Sequence, residues 1–393
     1  MLWVIVSVLL ILLLLMIVWY AYRTAFYSPA NRKEDCYTIP NGEQYQLERP
    51  RMLSLIREMD EIPYEAVTIS AHDGTKLAAR YYHVRDGAPL QIQFHGYRGT
   101  ALRDFCGGNK LARESGQNTL VVDQRAHGKS DGTAITFGIR ERWDCLSWVE
   151  YASKRFGADT PIILCGVSMG AATVLMASEL ELPGNVIGII ADCPYSSPEA
   201  IIRKVCREDM HLPAALTMPF VRLGARLFGH FDLRETSAVE AVQHTNIPIL
   251  LIHGEDDRFV PCDMSREIYD ACSGYKLRRT FPGAGHGLSY IVDTDGYEQA
   301  VAQFTEYCLN DWRIRYNEST LTDALATGRE IELQHDGLHY FIGRHSNSEW
   351  YLFCEETKEE QVFCTAGTLY EQAHFGERLL RTELANLSID CIL

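Results

Sequence analysis

The sequence has 393 residues, 47% of them hydrophobic, and a formal net charge of −15. This length suffices for one large domain and a smaller one. The charge argues against a nucleic-acid partner, because a phosphate backbone requires a basic face and the chain has no basic stripe. The 12 cysteines are scattered, without C-x-x-C pairs or Cys/His ligand spacing, so we predict no metal site, no cofactor and no disulfide scaffold.

The first 22 residues, MLWVIVSVLLILLLLMIVWYAY, contain no charge and are long enough to cross a bilayer as a helix. Aromatic residues stand near both ends of this segment, where they favour the membrane interface. A cleaved signal peptide is the alternative, but the segment lacks a basic start and no A-x-A cleavage site follows it. We therefore predict a retained single-pass anchor at residues 1–22.

The charges that flank this segment predict its orientation. Arg23, Arg32 and Lys33 follow it, and no Lys or Arg precedes it. Positive residues favour the cytoplasmic side of a membrane, so the rest of the chain is predicted to lie in the cytoplasm, at the cell membrane.

Residues 23–61 are polar and contain three prolines, which predicts a linker between the anchor and a folded domain. Within this linker, the stretch LERPRMLSLIREMDEIP predicts a short amphipathic helix. The next stretch, AVTISAHDGTKLAARYYHV, has a His-Asp-Gly-Thr turn between two alternating runs and predicts a β-hairpin.

Strand-like and helix-like patterns then alternate, and together they predict one domain over residues 62–312. The β-rich runs are LQIQFHGY, NTLVVDQRAH, PIILCGVS, VIGIIADCP, IPILLIHGEDD and YKLRRTFPGAGH. Most are separated by helix-length segments, which is typical of a parallel sheet with crossover helices. The segment at about 195–246 is apolar, interrupted by prolines and too long for a simple crossover, so it predicts an inserted helical lid.

The composition changes after this domain. Residues 316–393 contain five basic and 14 acidic residues, a net charge of −9. Alternating runs around residues 335–337 and 346–348 predict a β-meander, and TAGTLYEQAHFGERLLRTEL, residues 365–384, predicts a helix. We interpret residues 316–393 as a small acidic α+β accessory domain, which either binds an unknown partner or is inert.

The stretch PIILCGVSMGAAT combines an apolar strand, a tight turn and a small-residue helix start around Ser168. A G-x-S-x-G match alone arises by chance in about one chain of this length in ten. In this context, however, it predicts a nucleophile elbow, in which a strained serine is flanked by glycines because no side chain fits beside it. The hydroxyl would also lie at a helix N-terminus, which favours developing negative charge. Ser168 is the predicted nucleophile.

A carboxylate partner is predicted at the end of the strand IPILLIHG, which EDDRFVP follows. The spacing H-G-x-x-D-x-x-V-P selects Asp257. Asp256 is an alternative as the neighbouring turn carboxylate, and Asp192 is another because some related folds place the acid one strand earlier.

The base is predicted at His286, in the glycine-rich stretch FPGAGHGLS, 29 residues beyond Asp257. This position completes the chain order Ser…Asp…His, one of the orders in which catalytic triads occur. Imidazole removes the proton of a serine hydroxyl, and the carboxylate holds the imidazole in the required tautomer.

Two backbone N–H groups are predicted to stabilise an oxyanion. One belongs to Met169, the residue after the predicted nucleophile. The other is the amide of Tyr97, in the H-G-x-x-G stretch that follows the strand LQIQF. His95 in the same stretch is interpreted as a residue that braces the loop, with a role as base the alternative.

With these residues in place, the chain resembles the α/β-hydrolase superfamily, specifically its bacterial serine-aminopeptidase-like and monoglyceride-lipase-like branch. The resemblance rests on VVDQRAHGKSDG, GVSMGA, IADCPYSS, LLIHGEDDRFVP and GAGHG, and it spans residues 62–310. It implies an α/β-hydrolase fold, with a mostly parallel eight-stranded sheet flanked by helices and a helical lid after strand 6, beside the small C-terminal α+β domain. It also implies that Arg125, His127 and Ser130 brace a loop and do not react.

These residues predict a membrane-anchored serine hydrolase that cleaves a carboxylic ester, or a thioester, through an acyl-enzyme. A peptidase of the proline-iminopeptidase type is one alternative, and a non-catalytic binding protein on a hydrolase fold is another. The substrate is a small-molecule or lipid ester. The lid's Leu, Met and Phe residues either pack the lid, which we prefer, or line a lipid pocket.

Overall fold

The structure is a computed structural model that describes residues 1–30, 35–346 and 349–393. The chain forms two compact units, Met1–Thr305 and Glu306–Leu393, so the division lies slightly before the point at which the composition changes. Arg32 and Lys33, on which the predicted orientation partly rests, lie outside the described residues. Two residues of the predicted turn at 346–348 also lie outside them.

The first unit is built on one eight-stranded sheet. Its strands are β1 (Glu65–Ser70), β2 (Lys76–Tyr82), β3 (Leu90–Phe94), β4 (Asn118–Asp123), β5 (Ile162–Val167), β6 (Val186–Asp192), β7 (Ile249–Gly254) and β8 (Lys276–Phe281). They lie in the order β1-β2-β4-β3-β5-β6-β7-β8. Strand β2 is antiparallel to both of its neighbours and the other pairs are parallel, which confirms the predicted mostly parallel sheet.

Helices precede, flank and cap this sheet. They are α1 (Leu2–Ala25), α2 (Glu43–Asp60), α3 (Ala101–Glu114), α4 (Glu141–Phe156), α5 (Met169–Ala177), α6 (Pro198–Lys204), α7 (Ala214–Gly224), α8 (Ala238–Ala241), α9 (Cys262–Ala271), α10 (Ser289–Val292) and α11 (Thr294–Thr327). Short polar side chains cap three of them: Thr100, Ser197 and Ser237 each accept a hydrogen bond from the amide three residues further on. Helix α11 belongs to the first unit as far as Thr305.

The central strands are apolar because helices cover both faces of the sheet. Every residue of β3, β6 and β7 is buried, and so are the large side chains of the helices packed on them, such as Trp148 of α4. Parallel strands end at the same edge of a sheet, so the loops after β3, β5, β7 and β8 meet there. These are the loops that carry the predicted site residues.

The segment between β6 and β7 is helical, which confirms the predicted lid. It comprises α6, α7, α8 and two π-helical turns, Val205–Asp209 and Ala225–Gly229. Helix α1 packs directly on α7. The two helices are so close that a Cβ placed on Gly224 would lie only 2.9 Å from the carbonyl oxygen of Val18. Val18 and Tyr22 are buried in this contact.

The rest of α1 projects away from the sheet. Residues Leu2–Met16 are exposed. Among the described helices, α1 is the one that is long and apolar enough to cross a membrane. Only 6% of its most apolar 18-residue stretch is buried, whereas the core helix of a water-soluble domain is mostly buried.

The second unit contains the part of α11 that follows Thr305, a five-stranded and a two-stranded antiparallel sheet, and one short helix. Its elements are β9 (Ile331–His335), β10 (Leu338–Ser346), β11 (Glu349–Cys354), β12 (Glu360–Phe363), α12 (Ala366–Gln372), β13 (His374–Phe375), β14 (Arg378–Leu379) and β15 (Leu387–Ile392). The sheet order is β12-β11-β10-β9-β15. This arrangement confirms a small α+β unit.

The single helix predicted over residues 365–384 is wrong beyond Gln372. Ala373 is extended, and β13 and β14 form a short antiparallel pair. Gly376 lies between them at φ 59°, a left-handed conformation that glycine adopts without strain. The His-Phe-Gly-Glu stretch therefore turns the chain where the apolar spacing alone suggests that a helix continues.

Candidate active site

Ser168 occupies a sharp turn between β5 and α5. Its φ is 55° and its ψ is −113°, an unusual conformation for a residue other than glycine. A Cβ placed on Gly170 would lie 1.8 Å from the carbonyl oxygen of Phe94, and one on Gly166 would lie 2.3 Å from the carbonyl carbon of Gly170. Both glycines of the G-x-S-x-G stretch are therefore required by close backbone approach.

Ser168, His286 and Asp257 form a continuous hydrogen-bonded chain. His286 Nε2 lies 2.9 Å from Ser168 Oγ, and His286 Nδ1 lies 2.7 Å from Asp257 Oδ2. A carboxylate only accepts hydrogen bonds, so this pairing places the imidazole proton on Nδ1 and leaves Nε2 free to accept the serine proton. The structure thus brings together the three residues predicted from the sequence.

Asp257 is held ionised by its surroundings. Its Oδ1 accepts hydrogen bonds from the amides of Phe259, at 2.9 Å, and Val260, at 2.8 Å. Burial raises the pKa of the Asp257 carboxyl, but the electrostatic attraction and hydrogen bonds that His286 and His253 provide outweigh this effect and hold that pKa well below its ordinary value. A carboxylate in this state can stabilise a positively charged imidazole.

The two alternative carboxylates occupy different environments. Asp256 is exposed to solvent. Asp192 is buried at the end of β6, where the hydroxyl of Tyr297 donates to it at 3.2 Å. Burial raises the pKa of the Asp192 carboxyl to about 6. In the described part of the chain, neither carboxylate forms a hydrogen bond with His286.

The loop after β3 lies against Ser168. A Cβ placed on Gly96 would be 3.4 Å from the Cβ of Ser168. Asp104 fixes this loop by accepting a hydrogen bond of 2.8 Å from the amide of Gly96. The amides of Tyr97 and Met169 donate to no other group among the described residues, so both are available for an oxyanion.

The two histidines of the neighbouring loops hold backbone in place. His95 is fully buried, and its Nε2 accepts a hydrogen bond of 3.1 Å from the amide of Gln124. His127 Nε2 accepts one of 3.0 Å from the amide of Arg98, a residue at φ 50°. Neither ring is hydrogen-bonded to Ser168 in the described structure, in agreement with bracing roles.

Arg125 and Ser130 tie their loop to the rest of the unit. Arg125 forms two hydrogen bonds with the buried carboxylate of Asp144, at 2.6 and 2.5 Å, and a third with Asp73, at 3.0 Å. Ser130 accepts a hydrogen bond of 2.8 Å from the amide of Ala78. These contacts stabilise the loop and leave its side chains away from the reacting groups.

Three residues near the site were missed by sequence reasoning. The hydroxyl of Tyr45, in α2, donates a hydrogen bond of 2.7 Å to the backbone carbonyl of His286. His253 is fully buried, with Nε2 3.3 Å from Asp257 Oδ2. Cys193 directly follows β6, and its thiol lies beside Asp257 and His286. The positions of His253 and Cys193 at or beside strand ends were a signal for these two residues, but no pattern in the sequence pointed to Tyr45.

Cys193, Asp257 and His286 offer ligand atoms that all lie within 4.8 Å of one another. A metal ion fits this group poorly. Asp257 and His286 already bond directly to each other at 2.7 Å, and burial raises the pKa of the Cys193 thiol well above its ordinary value. A thiol that remains protonated is a weak metal ligand.

A cavity of about 230 Å³ reaches Ser168 beneath α2. Its wall includes the polar side chains of Tyr45, Arg103, Asp104 and Asp192. This cavity could therefore accommodate a polar group next to the serine hydroxyl.

A second cavity, of about 360 Å³ and lined almost wholly by apolar groups, also reaches Ser168. Tyr97 and Phe259 line both cavities. The wall of the second cavity comes from α1 and the lid, including Met210 and Leu212. These lid residues line a cavity, so the preferred interpretation that they only pack the lid is wrong at these positions.

Comparison with known sequences identifies the family. The sequence model of the alpha/beta hydrolase family matches residues 94–303. The chain is 27% identical to YqkD of Bacillus subtilis over 196 residues, 50% of this chain and 64% of YqkD. It is 28% identical to ABHD12B of Homo sapiens over 52% of this chain and 58% of that protein. The lysophosphatidylserine lipase ABHD12 of Rattus norvegicus is 26% identical over 49% of this chain and 48% of that protein.

The match thus spans between about half and two thirds of the length of these relatives. Among solved structures, the esterase Pf2001 of Pyrococcus furiosus superimposes with a TM-score of 0.53 and 22% identity, covering 64% of this chain and 93% of that one. At this identity the likeness concerns the fold, and the fold agrees with the sequence match. The chain belongs to the alpha/beta hydrolase family.

Proposed function

We propose that the protein is a serine hydrolase that cleaves a carboxylic ester, or a thioester, through an acyl-enzyme on Ser168. The observation that carries this proposal is the pair of hydrogen bonds that joins Ser168 to His286 and His286 to Asp257, at 2.9 and 2.7 Å. Asp257 orients the imidazole and stabilises its charged form, His286 is the general base, and Ser168 is the nucleophile.

Acylation moves one proton through His286. Its Nε2 takes the proton of the Ser168 hydroxyl as Oγ bonds to the carbonyl carbon of the substrate. The bond from that carbon to the leaving oxygen, or sulfur, then breaks, and His286 returns the proton to the leaving group. The amides of Tyr97 and Met169 donate to the negatively charged oxygen of the tetrahedral intermediate.

Deacylation repeats these steps with water. A water molecule gives a proton to His286 while its oxygen bonds to the acyl carbon. The bond to Ser168 Oγ breaks, and Oγ recovers the proton from His286. The products are a carboxylic acid and the free enzyme.

We further propose a lipid ester as the substrate. The apolar cavity at Ser168 suits an acyl chain, and the cavity beneath α2, whose wall includes several polar side chains, suits the alcohol part of the ester. The printed name of the rat relative, lysophosphatidylserine lipase, is consistent with a substrate of this class. The second unit, with its acidic surface, is a candidate site for a partner protein.

We propose that α1 is a retained single-pass anchor, with the catalytic unit in the cytoplasm. Val18, Tyr22 and Phe26 are buried against the catalytic unit. Removal of a signal sequence would take away some or all of these core residues and leave their neighbours exposed to water. This packing supports retention of the helix.

A fluorophosphonate probe tests the proposed nucleophile. We expect the full-length protein to be labelled, Ser168→Ala to lose the label, and Ser54→Ala, which changes an exposed serine of α2, to keep it. Absence of labelling in the unaltered protein would contradict the proposal and favour a non-catalytic binding protein. Cleavage of aminoacyl amides in preference to acyl esters and thioesters would instead favour a peptidase.

A further inference from the structure

Helix α1 contributes more to the catalytic unit than a point of attachment. Five residues of its C-terminal half, Ile17, Tyr20, Ala21, Thr24 and Ala25, line the apolar cavity that ends at Ser168. The opposite wall of this cavity comes from the lid, through residues 201–221. The helix proposed to lie in the membrane is therefore also part of the wall of the site.

The cavity has a buried end and an exposed end. Tyr195, which is 2% exposed, lines it near Ser168. Tyr20, Met210 and Leu212 also line the cavity, although they are 68%, 42% and 40% exposed, respectively. The cavity therefore reaches the surface beside α1, and its mouth is formed by apolar and aromatic side chains.

The charged end of α1 places this mouth at the edge of a bilayer. Arg23 is the first charged residue after the apolar run of α1, and the aromatic residues Trp19 and Tyr20 lie just before it. Aromatic and positively charged side chains of this kind mark the interface between the hydrocarbon core and water. Tyr20, Ala21 and Thr24 line the cavity at the same level of the helix.

The lid presents an apolar stripe on the helix that packs against α1. Leu216 and Leu223 of α7, and Leu227 of the π-helical turn that continues it, recur at intervals of about two turns and one turn and are all exposed, with Leu216 at 68%. An exposed apolar stripe of this kind is typical of a surface that lies in a membrane interface. Leu212, which lines the cavity mouth, lies two residues before the start of α7.

We propose that the apolar cavity is the acyl-chain site, that it opens into the bilayer, and that α1 is one of its specificity-determining walls. The substrate class is then a long-chain acyl ester of a membrane lipid, whose chain enters between α1 and the lid without crossing water. This inference rests on the proposed function, because the chain must lead to the reacting Ser168. It adds the route of entry and the residues that select chain length.

Chain-length selectivity of variants in α1 tests the inference. Ala21→Trp places an indole in the cavity, and Leu13→Trp places the same group on the exposed part of α1, outside the cavity. The full-length proteins are reconstituted in phosphatidylcholine vesicles and assayed with p-nitrophenyl acetate and p-nitrophenyl palmitate. We expect the palmitate-to-acetate ratio of kcat/KM to fall at least tenfold in Ala21→Trp and to stay unchanged in Leu13→Trp.

An unchanged ratio in Ala21→Trp, or an equal fall in both variants, would overturn the inference. Acetate turnover by the unaltered protein, and its loss in Ser168→Ala, reports on the proposed function separately.

A second measurement uses the unaltered protein and therefore does not depend on whether Ala21→Trp folds. It uses a long-chain alkyl fluorophosphonate with a diazirine in the middle of the chain.

This probe forms a bond from Ser168 Oγ to phosphorus with loss of fluoride, and the serine proton passes to His286. Illumination then crosslinks the chain to its nearest neighbours, which are identified by mass spectrometry. We expect crosslinks within residues 17–25 or 201–221. Crosslinks confined to α2 or to residues 103–108 would place the chain in the cavity beneath α2 and overturn the inference. Absence of any label on Ser168 would overturn the proposed function itself.

Discussion

The hydroxyl of Tyr45 donates a hydrogen bond of 2.7 Å to the backbone carbonyl of His286. The two residues are 241 positions apart, and Tyr45 belongs to α2, which the sequence places in a linker. The ring of Phe259 packs edge to face against the imidazole of His286, with centroids 5.1 Å apart. The backbone and the ring of His286 are thus held from different sides.

Tyr45→Phe is expected to lower kcat for ester hydrolysis several-fold with little change in KM. The substitution leaves the partly buried carbonyl of His286 without its donor, a loss of about 1 kcal/mol. Steady-state kinetics of the variant measure the effect. Tyr37→Phe is the matched control, since its hydroxyl bonds to Asp60 at an exposed position away from the site. Equal kcat values for the two variants would argue against a positioning role for Tyr45.

Asp257→Asn is expected to lower kcat by about 10³–10⁴-fold, because an amide cannot stabilise the charged imidazole and favours the wrong tautomer. Asp256→Asn, one residue away and exposed, is expected to retain activity. Parallel kinetics of the two variants decide between the carboxylates. A larger loss in Asp256→Asn would show that the acid was assigned to the wrong residue.

Asp192→Asn is expected to stabilise the protein, and to do so more at pH 8 than at pH 4.5. The carboxyl has a pKa of about 6 when folded and 3.8 in an unperturbed state. Between these values the folded protein retains a proton that the unfolded chain has released, so the free energy of unfolding falls as pH rises towards 6 and stays lower above it. At pH 8 the ionised Asp192 carboxyl lowers the free energy of unfolding by at most about 3 kcal/mol.

Thermal unfolding of both proteins at the two pH values measures this difference. Each kcal/mol corresponds to about 2–4 °C in Tm for a domain of this size. The same difference in Tm at both pH values would mean that ionisation of the Asp192 carboxyl does not destabilise the folded protein.

Gly170→Ala is expected to destabilise the first unit by about 3 kcal/mol or more and to abolish labelling of Ser168. The new methyl group would lie 1.8 Å from the carbonyl oxygen of Phe94, and a backbone atom cannot turn away as a side chain can. Gly184→Ala is the control, because within the described residues no atom lies within 4 Å of a Cβ placed there. Denaturant unfolding measures the stability of the two variants. Similar denaturation midpoints would show that a methyl group at position 170 does not clash with the Phe94 carbonyl.

Local patterns in the sequence predicted the sheet, the lid and the three residues of the candidate triad. This was possible because Ser168, Asp257 and His286 each follow a strand with a recognisable run of neighbours, and parallel strands bring such loops to one edge. The same patterns failed over residues 365–384. There the helix ends at Gln372 with Ala373 extended, and Gly376, with a left-handed backbone, then turns the chain. Apolar spacing registers neither conformation.

The sequence by itself determined that a strained serine, a carboxylate and an imidazole occur in hydrolase order, and that the chain begins with an apolar helix. Only the tertiary structure decided that this helix lines the cavity at Ser168 and that Tyr45 holds His286. Periodicity reports the environment of a residue within its own helix or strand. It contains no information about which distant segment packs against that element, so contacts between residues far apart in the chain emerge only when the chain is folded.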